Sequence, residues 1–177
     1  MFENINYLRA GNEKQNQAYK AITNLGIMES LREYHPTLCG TLPIGIDVAG
    51  SDLDIIMEVH DLQEFEKKVN ELYGGKESYI VKKLVIRERP VVKANFNFDG
   101  FEFELFAQPQ PVKEQYAYLH MIIENSILHQ FPGSREKVIA LKKQGVKTEP
   151  AFCVVLQLEG IDPYESLIEY GKRMGMI

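Results

Sequence analysis

Two rhythms of apolar and polar positions divide this chain, and the change between them falls near residue 110. Upstream, short runs alternate every second residue, the pattern of half-buried strands. Downstream, apolar residues recur every three to four positions, the pattern of amphipathic helices. The upstream part begins with a helix: Ala18, Ala21, Ile22 and Leu25 share one face of Asn12–Leu25, and Gly26 ends it. A short helix over Ile27–Tyr34 follows, broken by His35-Pro36. Thr37–Cys39 then reads as a strand closing at Gly40-Thr41, and Pro43, Gly45 and Gly50 mark Leu42–Gly50 as an ordered loop or short hairpin. Leu53–Val59 reads as a strand, and Leu62, Phe65, Val69 and Leu72 as one helical face that Gly74-Gly75 terminates. Tyr79–Ile86 has strand composition, with Lys82-Lys83 as a point of interruption.

The run VVKANFNF-DG-FEFELFA is the clearest local signal. Asp-Gly between two β-rich runs specifies a two-residue type I′ turn, and that turn fixes the register. Phe98 then faces Phe101, Phe96 faces Phe103, Asn95 faces Glu104 and Lys93 faces Phe106. One face carries Phe96, Phe98, Phe101, Phe103 and Leu105, which is a core face; the other carries Lys93, Asn95, Asn97, Glu102 and Glu104. After Pro109 and Pro111 the helical rhythm takes over. Tyr116, Leu119, Ile123 and Ile127 define a helix within Val112–His129. Ser134 is an N-cap for a helix reaching Gln144, Thr148-Glu149-Pro150 opens another toward Gly160, and Asp162-Pro163 starts the last. The expected architecture is α+β: a mixed, largely antiparallel sheet with helices over residues 1–110, and a group of helices over 111–177 packed on it.

Composition narrows the function classes. The 177 residues are 45% hydrophobic, enough for a real core, and carry a net charge of −5. That balance argues against a nucleic-acid scaffold with a basic surface. Cys39 and Cys153 are far apart among apolar neighbours, so they read as buried thiols rather than a disulfide or metal pair. The polar N-terminal stretch lacks a signal-peptide core, and no apolar run approaches the ~18 residues a membrane span needs. A cytoplasmic protein is the default expectation.

Candidate chemistry concentrates in Asp52 and Asp54, which strand alternation puts on one face together with Ile56, while Leu53 and Ile55 take the other. Two carboxylates held side by side repel each other, by on the order of 4 kcal/mol at about 4 Å in a partly screened site. A hard divalent cation with oxygen ligands is the simplest partner. The structural alternative is that Asp52 caps the turn after Gly50-Ser51 and that Asp54 is solvated on an edge strand. For Glu104 the alternative is a diagonal ion pair with Lys93, worth about 0.2–1 kcal/mol. Glu102 is a rival third acid nearer the turn, and Asp47 reads as a loop residue. Gly45-x4-Gly50-Ser51 has phosphate-loop spacing, but the missing lysine and the following Asp52 reject that reading. His35, His60, His120 and His129 form no metal-ligand spacing, and His120 with Tyr116 reads as core or surface rather than cleft. Lys142-Lys143 near a helix end suits the helix dipole without a ligand.

Gly40-Thr41, ten residues, then Asp52-Leu53-Asp54-Ile55 resembles the nucleotidyltransferase superfamily with the polymerase-beta-type fold, whose signature is Gly-Ser or Gly-Gly, a spacer of this length and Asp-x-Asp. The whole chain also resembles an uncharacterised bacterial family within that superfamily, through GTLPIGIDVAGSDLDII, FELFAQP and EQYAYLHM. The resemblance implies that Asp52, Asp54 and Glu104 hold Mg²⁺ (or Mn²⁺) and carry catalysis, with Glu104 as the third carboxylate and general base. It implies that Gly40, Thr41, Ser51 and Lys93 serve the phosphates of a nucleoside triphosphate. The expected reaction moves a nucleoside monophosphate to a hydroxyl of a small molecule or protein, nucleic acid being the disfavoured acceptor. Two alternatives stand beside it: a degenerate nucleotide- or metal-binding regulatory module, and a metal-dependent phosphohydrolase. Thr for Ser at position 41 keeps the hydroxyl, Glu for Asp at 104 lengthens the reach by a methylene, and Leu42–Ser51 lacks a basic residue.

Overall fold

The computed structural model describes residues 2–177. It begins with a 3-10 turn, Ile5–Ala10, and helix α1, Glu13–Leu25. A reciprocal capping box sets the start of α1: the Asn12 side chain accepts from the Gln15 N–H, and the Gln15 side chain accepts from the Asn12 N–H. Helix α2 spans Ile27–Ser30 and passes into a 3-10 turn over Arg32–Tyr34. Strands β1, Thr37–Cys39, and β2, Leu53–Glu58, flank the irregular loop expected between them. Helix α3 covers Leu62–Tyr73, followed by β3, Glu77–Ile86, β4, Arg89–Phe98, and β5, Phe101–Gln108. After a 3-10 turn at Val112–Glu114 come α4, Tyr116–Gln130, α5, Ser134–Lys143, α6, Thr148–Leu156, and α7, Pro163–Arg173.

The five strands form one sheet in the order β1-β2-β5-β4-β3. The pairings are antiparallel except β2 with β5, which is parallel. This is the expected mixed, largely antiparallel α+β sheet. The hairpin register is as expected, Phe98 opposite Phe101 and Asn95 opposite Glu104. Its turn holds Asp99 and Gly100 at φ 45° and 80°, left-handed at both central positions as a type I′ turn requires.

One sheet face packs Leu53, Ile55, Phe96, Phe103 and Leu105 against Ala18 and Ile22 of α1 and Phe65 and Val69 of α3. Phe96 stacks on Phe103 at 5.3 Å and on Tyr73 at 4.9 Å. The other face joins Cys39, Ile44, Ile46 and Ile56 to Met121, Ile123 and Ile127 of α4, Phe152 of α6 and Leu167 of α7. Apolar contact therefore continues across residue 110. Cys39 and Cys153 are free and buried, as the sequence implies. Among the described residues, no helix is long and apolar enough to cross a membrane.

Four local expectations need correction. In α3, Tyr73 rather than Leu72 completes the buried row: Phe65, Val69 and Tyr73 follow i, i+4, i+8, and Leu72 is exposed. Strand β3 runs through Lys82-Lys83 without a break, because it is an edge strand with solvent beside most of its side chains. Its irregularity lies instead between Glu77 and Ile80. Gly133, left-handed, occupies the cap of α5, and Ser134 is its first residue, with a buried hydroxyl lacking a partner. Helix α6 stops at Leu156, where Gln157 turns left-handed.

Candidate active site

The parallel pairing of β2 with β5 builds the site. Leu53 lies opposite Phe103 and Asp54 opposite Glu104, so the residues between the core side chains bring their carboxylates together on the opposite face. Among the described residues, Asp52, Asp54 and Glu104 each offer a carboxylate oxygen within 4.8 Å of the other two. Glu102 stays exposed, its carboxylate accepting from Asn95 Nδ2 at 3.0 Å. The choice of Glu104 over Glu102 thus follows from register: the rival acid lies nearer the hairpin turn.

The electrostatics are those of carboxylates crowded together in a partly buried site. Burial, then Asp52, then Glu104 push the Asp54 carboxyl up to about 8, and Lys93 offsets this in part. Burial and Glu104 also raise Asp52. Lys93 Nζ pairs with Glu104 Oε2 at 2.5 Å, the diagonal ion pair anticipated for a purely structural role, but it answers one carboxylate of three. Three close, partly buried oxygen ligands suit a hard divalent cation.

Gly40 follows Cys39, which lies opposite Asp54 in the β1–β2 ladder. Its φ of +80° disfavours any L side chain, and a Cβ there would collide with the Asp54 carboxylate. Glycine here makes room for Asp54, a use that its expected approach to phosphate does not include. Gly40→Ala is therefore expected to lose about 1–3 kcal/mol, read as a lower urea midpoint in metal-free buffer. The Thr41 carbonyl accepts from Ile46 N–H at 3.1 Å, closing the loop after β1. Ser51 Oγ accepts from Val48 N–H at 3.0 Å, so this hydroxyl holds the loop's end. Asp47 is the loop residue expected, paired with Lys14 at 2.9 Å.

Residues of the helices after Pro111 wall the site. Two cavities meet at Asp54 and Glu104. The smaller, about 550 Å³, lies among Asp52, the Gly145–Glu149 segment, Lys142 and Tyr164. Lys142, in the last turn of α5 where the sequence reads it as suiting the helix dipole, is half-buried there; its amine donates to Thr148 Oγ1 at 3.0 Å, and burial lowers its pKa. The larger, about 670 Å³, extends from the acids past Ile56, Phe106 and His120 to Arg87 and Tyr116. His120, read from sequence as core or surface, is buried in that cavity's wall. Its Nε2 is 3.0 Å from the Tyr164 carbonyl and its Nδ1 3.5 Å from Glu149. Helical spacing put Tyr116 and His120 on one face; which face met the sheet was not encoded in that spacing.

The fold is similar to those of several solved structures. The chain is similar to the MgGTP-bound Cid1 poly(U) polymerase with a TM-score of 0.55 at 13% identity, over 74% of this chain and 42% of that one. It is similar to the polymerase core of TRAMP, an RNA surveillance complex, with 0.52 at 13% identity, over 88% and 48%. It is similar to a chain of the GLD-2/RNP-8 complex with 0.50 at 14% identity, over 88% and 58%. The chain therefore spans less than two thirds of each of these proteins, and the likeness establishes the fold, that of polymerase-beta-type nucleotidyltransferases. No curated protein matches the sequence. Residues 20–170 match the family described as "Domain of unknown function (DUF4269)", and with that match over most of its length the chain belongs to this family.

Proposed function

We propose that this protein is a metal-dependent nucleotidyltransferase, moving a nucleoside monophosphate from a nucleoside triphosphate to a hydroxyl of a small-molecule or protein acceptor. The observation that carries the reading is the convergence of Asp54 and Glu104 on adjacent parallel strands, with Asp52 immediately before the first, within a nucleotidyltransferase fold. These residues would hold Mg²⁺ or Mn²⁺, which would neutralise phosphate charge and acidify the acceptor hydroxyl. Glu104 accepts the acceptor's proton as its oxygen bonds to the α-phosphorus. The bond from that phosphorus to the bridging oxygen breaks, and pyrophosphate leaves with the electron pair. Lys142, Lys147 and the Thr148 hydroxyl, beside the acids in the smaller cavity, supply the positive charge and donor that Leu42–Ser51 lacks. Gly40, Thr41 and Ser51, which line neither of these two cavities, would serve the phosphates from the loop between β1 and β2, and Lys93 restrains Glu104 while offsetting negative charge. A cytoplasmic setting supplies the triphosphate and keeps Cys39 and Cys153 reduced.

Thermal stability with Mg²⁺ or Mn²⁺, alone and with each nucleoside triphosphate, tests the proposal. Wild type should gain several degrees with metal plus one triphosphate, and the Asp52→Ala/Asp54→Ala double variant should gain none. A response to metal without any triphosphate effect would favour phosphohydrolysis. Silence toward both would leave a non-catalytic module.

A further inference from the structure

We infer that the larger cavity is the acceptor chamber, and that it takes a small molecule bearing both a hydroxyl and an anionic group, phosphate or carboxylate, rather than the end of a nucleic acid. The inference rests on the nucleotidyl-transfer reading for the direction of the chamber: Glu104, the proton acceptor, stands at one end of it with Asp54. Its chemistry rests on other residues.

The far end is closed by a strap from the sheet to the helices. The β3–β4 turn holds Arg87 and Glu88 at φ 48° and 62°, left-handed conformations that side-chain-bearing residues adopt at a cost. The turn delivers the Arg87 guanidinium over the Tyr116 ring, 4.1 Å from its centroid, and to 5.9 Å from that of Tyr164. Arg87 also lies 3.7 Å from Glu165, whose other oxygen accepts from the Tyr116 hydroxyl at 3.0 Å. A strand of nucleic acid entering past Glu104 would meet this strap. A molecule of a few hundred daltons fits the 670 Å³ in front of it.

The charges select the ligand. Glu149 faces His120, Glu165 is taken by Arg87 and Tyr116, and Asp54 and Glu104 belong to the metal cluster. Arg89 and Lys147 also line the chamber, and among the described residues neither has a carboxylate within 4.0 Å. Positive charge is thus in surplus once the acid cluster is neutralised, which suits an anion. A second, independent feature asks for a donor. Gln115 is 1% exposed; its Nε2 donates to the Met57 and Gln110 carbonyls at 3.0 and 2.9 Å, and its Oε1 has no partner. A buried acceptor left bare in a residue of the chamber wall is costly, and a ligand hydroxyl would satisfy it after a small rotation of the side chain toward the chamber.

The test uses the full-length protein with saturating Mg²⁺ and no nucleotide, with inorganic phosphate as the anionic probe and thermal stability as the readout. Phosphate should raise the melting temperature of wild type, and its apparent affinity should fall at least tenfold in Arg87→Ala/Arg89→Ala but not in Lys142→Ala. Arg89→Glu leaves the Arg87 strap in place and should produce the same loss, which keeps the test if the double variant fails to fold. No phosphate response, or one lost in Lys142→Ala and kept in the arginine variants, overturns the proposal. So does tight binding of a single-stranded RNA 15-mer that depends on Arg87 and Arg89. Stabilisation by metal plus triphosphate, measured separately, should persist in Arg87→Ala/Arg89→Ala and Arg89→Glu and weaken in Lys142→Ala, whose amine lines the triphosphate cavity. Its absence in wild type would sink the nucleotidyl-transfer reading while the phosphate arm still reported the chamber's chemistry.

Discussion

An Asp54→Asn variant is expected to melt several degrees above wild type at pH 9 in chelator, and to lose the response to Mg²⁺ or Mn²⁺. The sign follows from linkage. In the folded protein the Asp54 carboxyl is raised from 3.8 to about 8, chiefly by burial and then by Asp52 and Glu104. Below pH 4 the group is protonated in folded and unfolded states alike, and no penalty arises. As pH rises from about 4 to 8 the unfolded chain releases the proton and the folded one retains it, so wild type loses stability through that window and levels off above it. Each unit is worth about 1.4 kcal/mol, and allowing for partial solvation the sum is on the order of a few kcal/mol. At about 2–4 °C per kcal/mol for a chain of this size, the expected gain is several degrees. The asparagine variant should show a flat profile over the same window. Any transfer activity should fall by about 10³-fold or more, because the ligand set is broken. A variant less stable than wild type at pH 9 would mean that Asp54 is a structural residue and that the acid cluster serves no cation.

The parts of this site that sequence made legible are those whose geometry is local. Asp99-Gly100 dictates a type I′ turn, the turn dictates register, and register places Glu104, Lys93 and Asn95 on one face of the hairpin. Alternation likewise puts Asp52 and Asp54 on one side of β2. The step that joins them, parallel pairing of β2 with β5 across α3, β3 and β4, has no local signature; it was reachable through the family resemblance. The β3–β4 turn was missed because Arg87-Glu88 lacks the glycine or asparagine that usually advertises left-handed backbone. Lys142 and Lys147 were missed for a different reason. Their helical positions suit solvent as well as a cleft, and what decides between these is how α5 and α6 pack on the sheet, a long-range matter. The exposed face of an isolated helix does not record what a neighbouring element will bring to it.

Phe103→Ala is expected to cost about 3–5 kcal/mol and to weaken the metal response together with folding. Phe103 is fully buried, stacked on Phe96 at 5.3 Å and edge-on to Phe98 at 6.4 Å. Its position matters as much as its size. In the β2–β5 ladder it lies opposite Leu53, and these two core side chains stand between the acids: Asp52 and Asp54 on one strand, Glu102 and Glu104 on the other. Because strand side chains alternate, the packing of Leu53 and Phe103 on the back of the sheet keeps Asp54 opposite Glu104 on the front. A one-residue slip would bury the acids and expose the phenylalanines, so the core enforces the site. Urea unfolding of Phe103→Ala should show the large loss, and Phe103→Leu, which keeps most of the volume, should retain more stability and the wild-type metal response. If Phe103→Ala instead stays as stable as wild type while losing metal binding, the aromatic stack is not what holds the two strands in register.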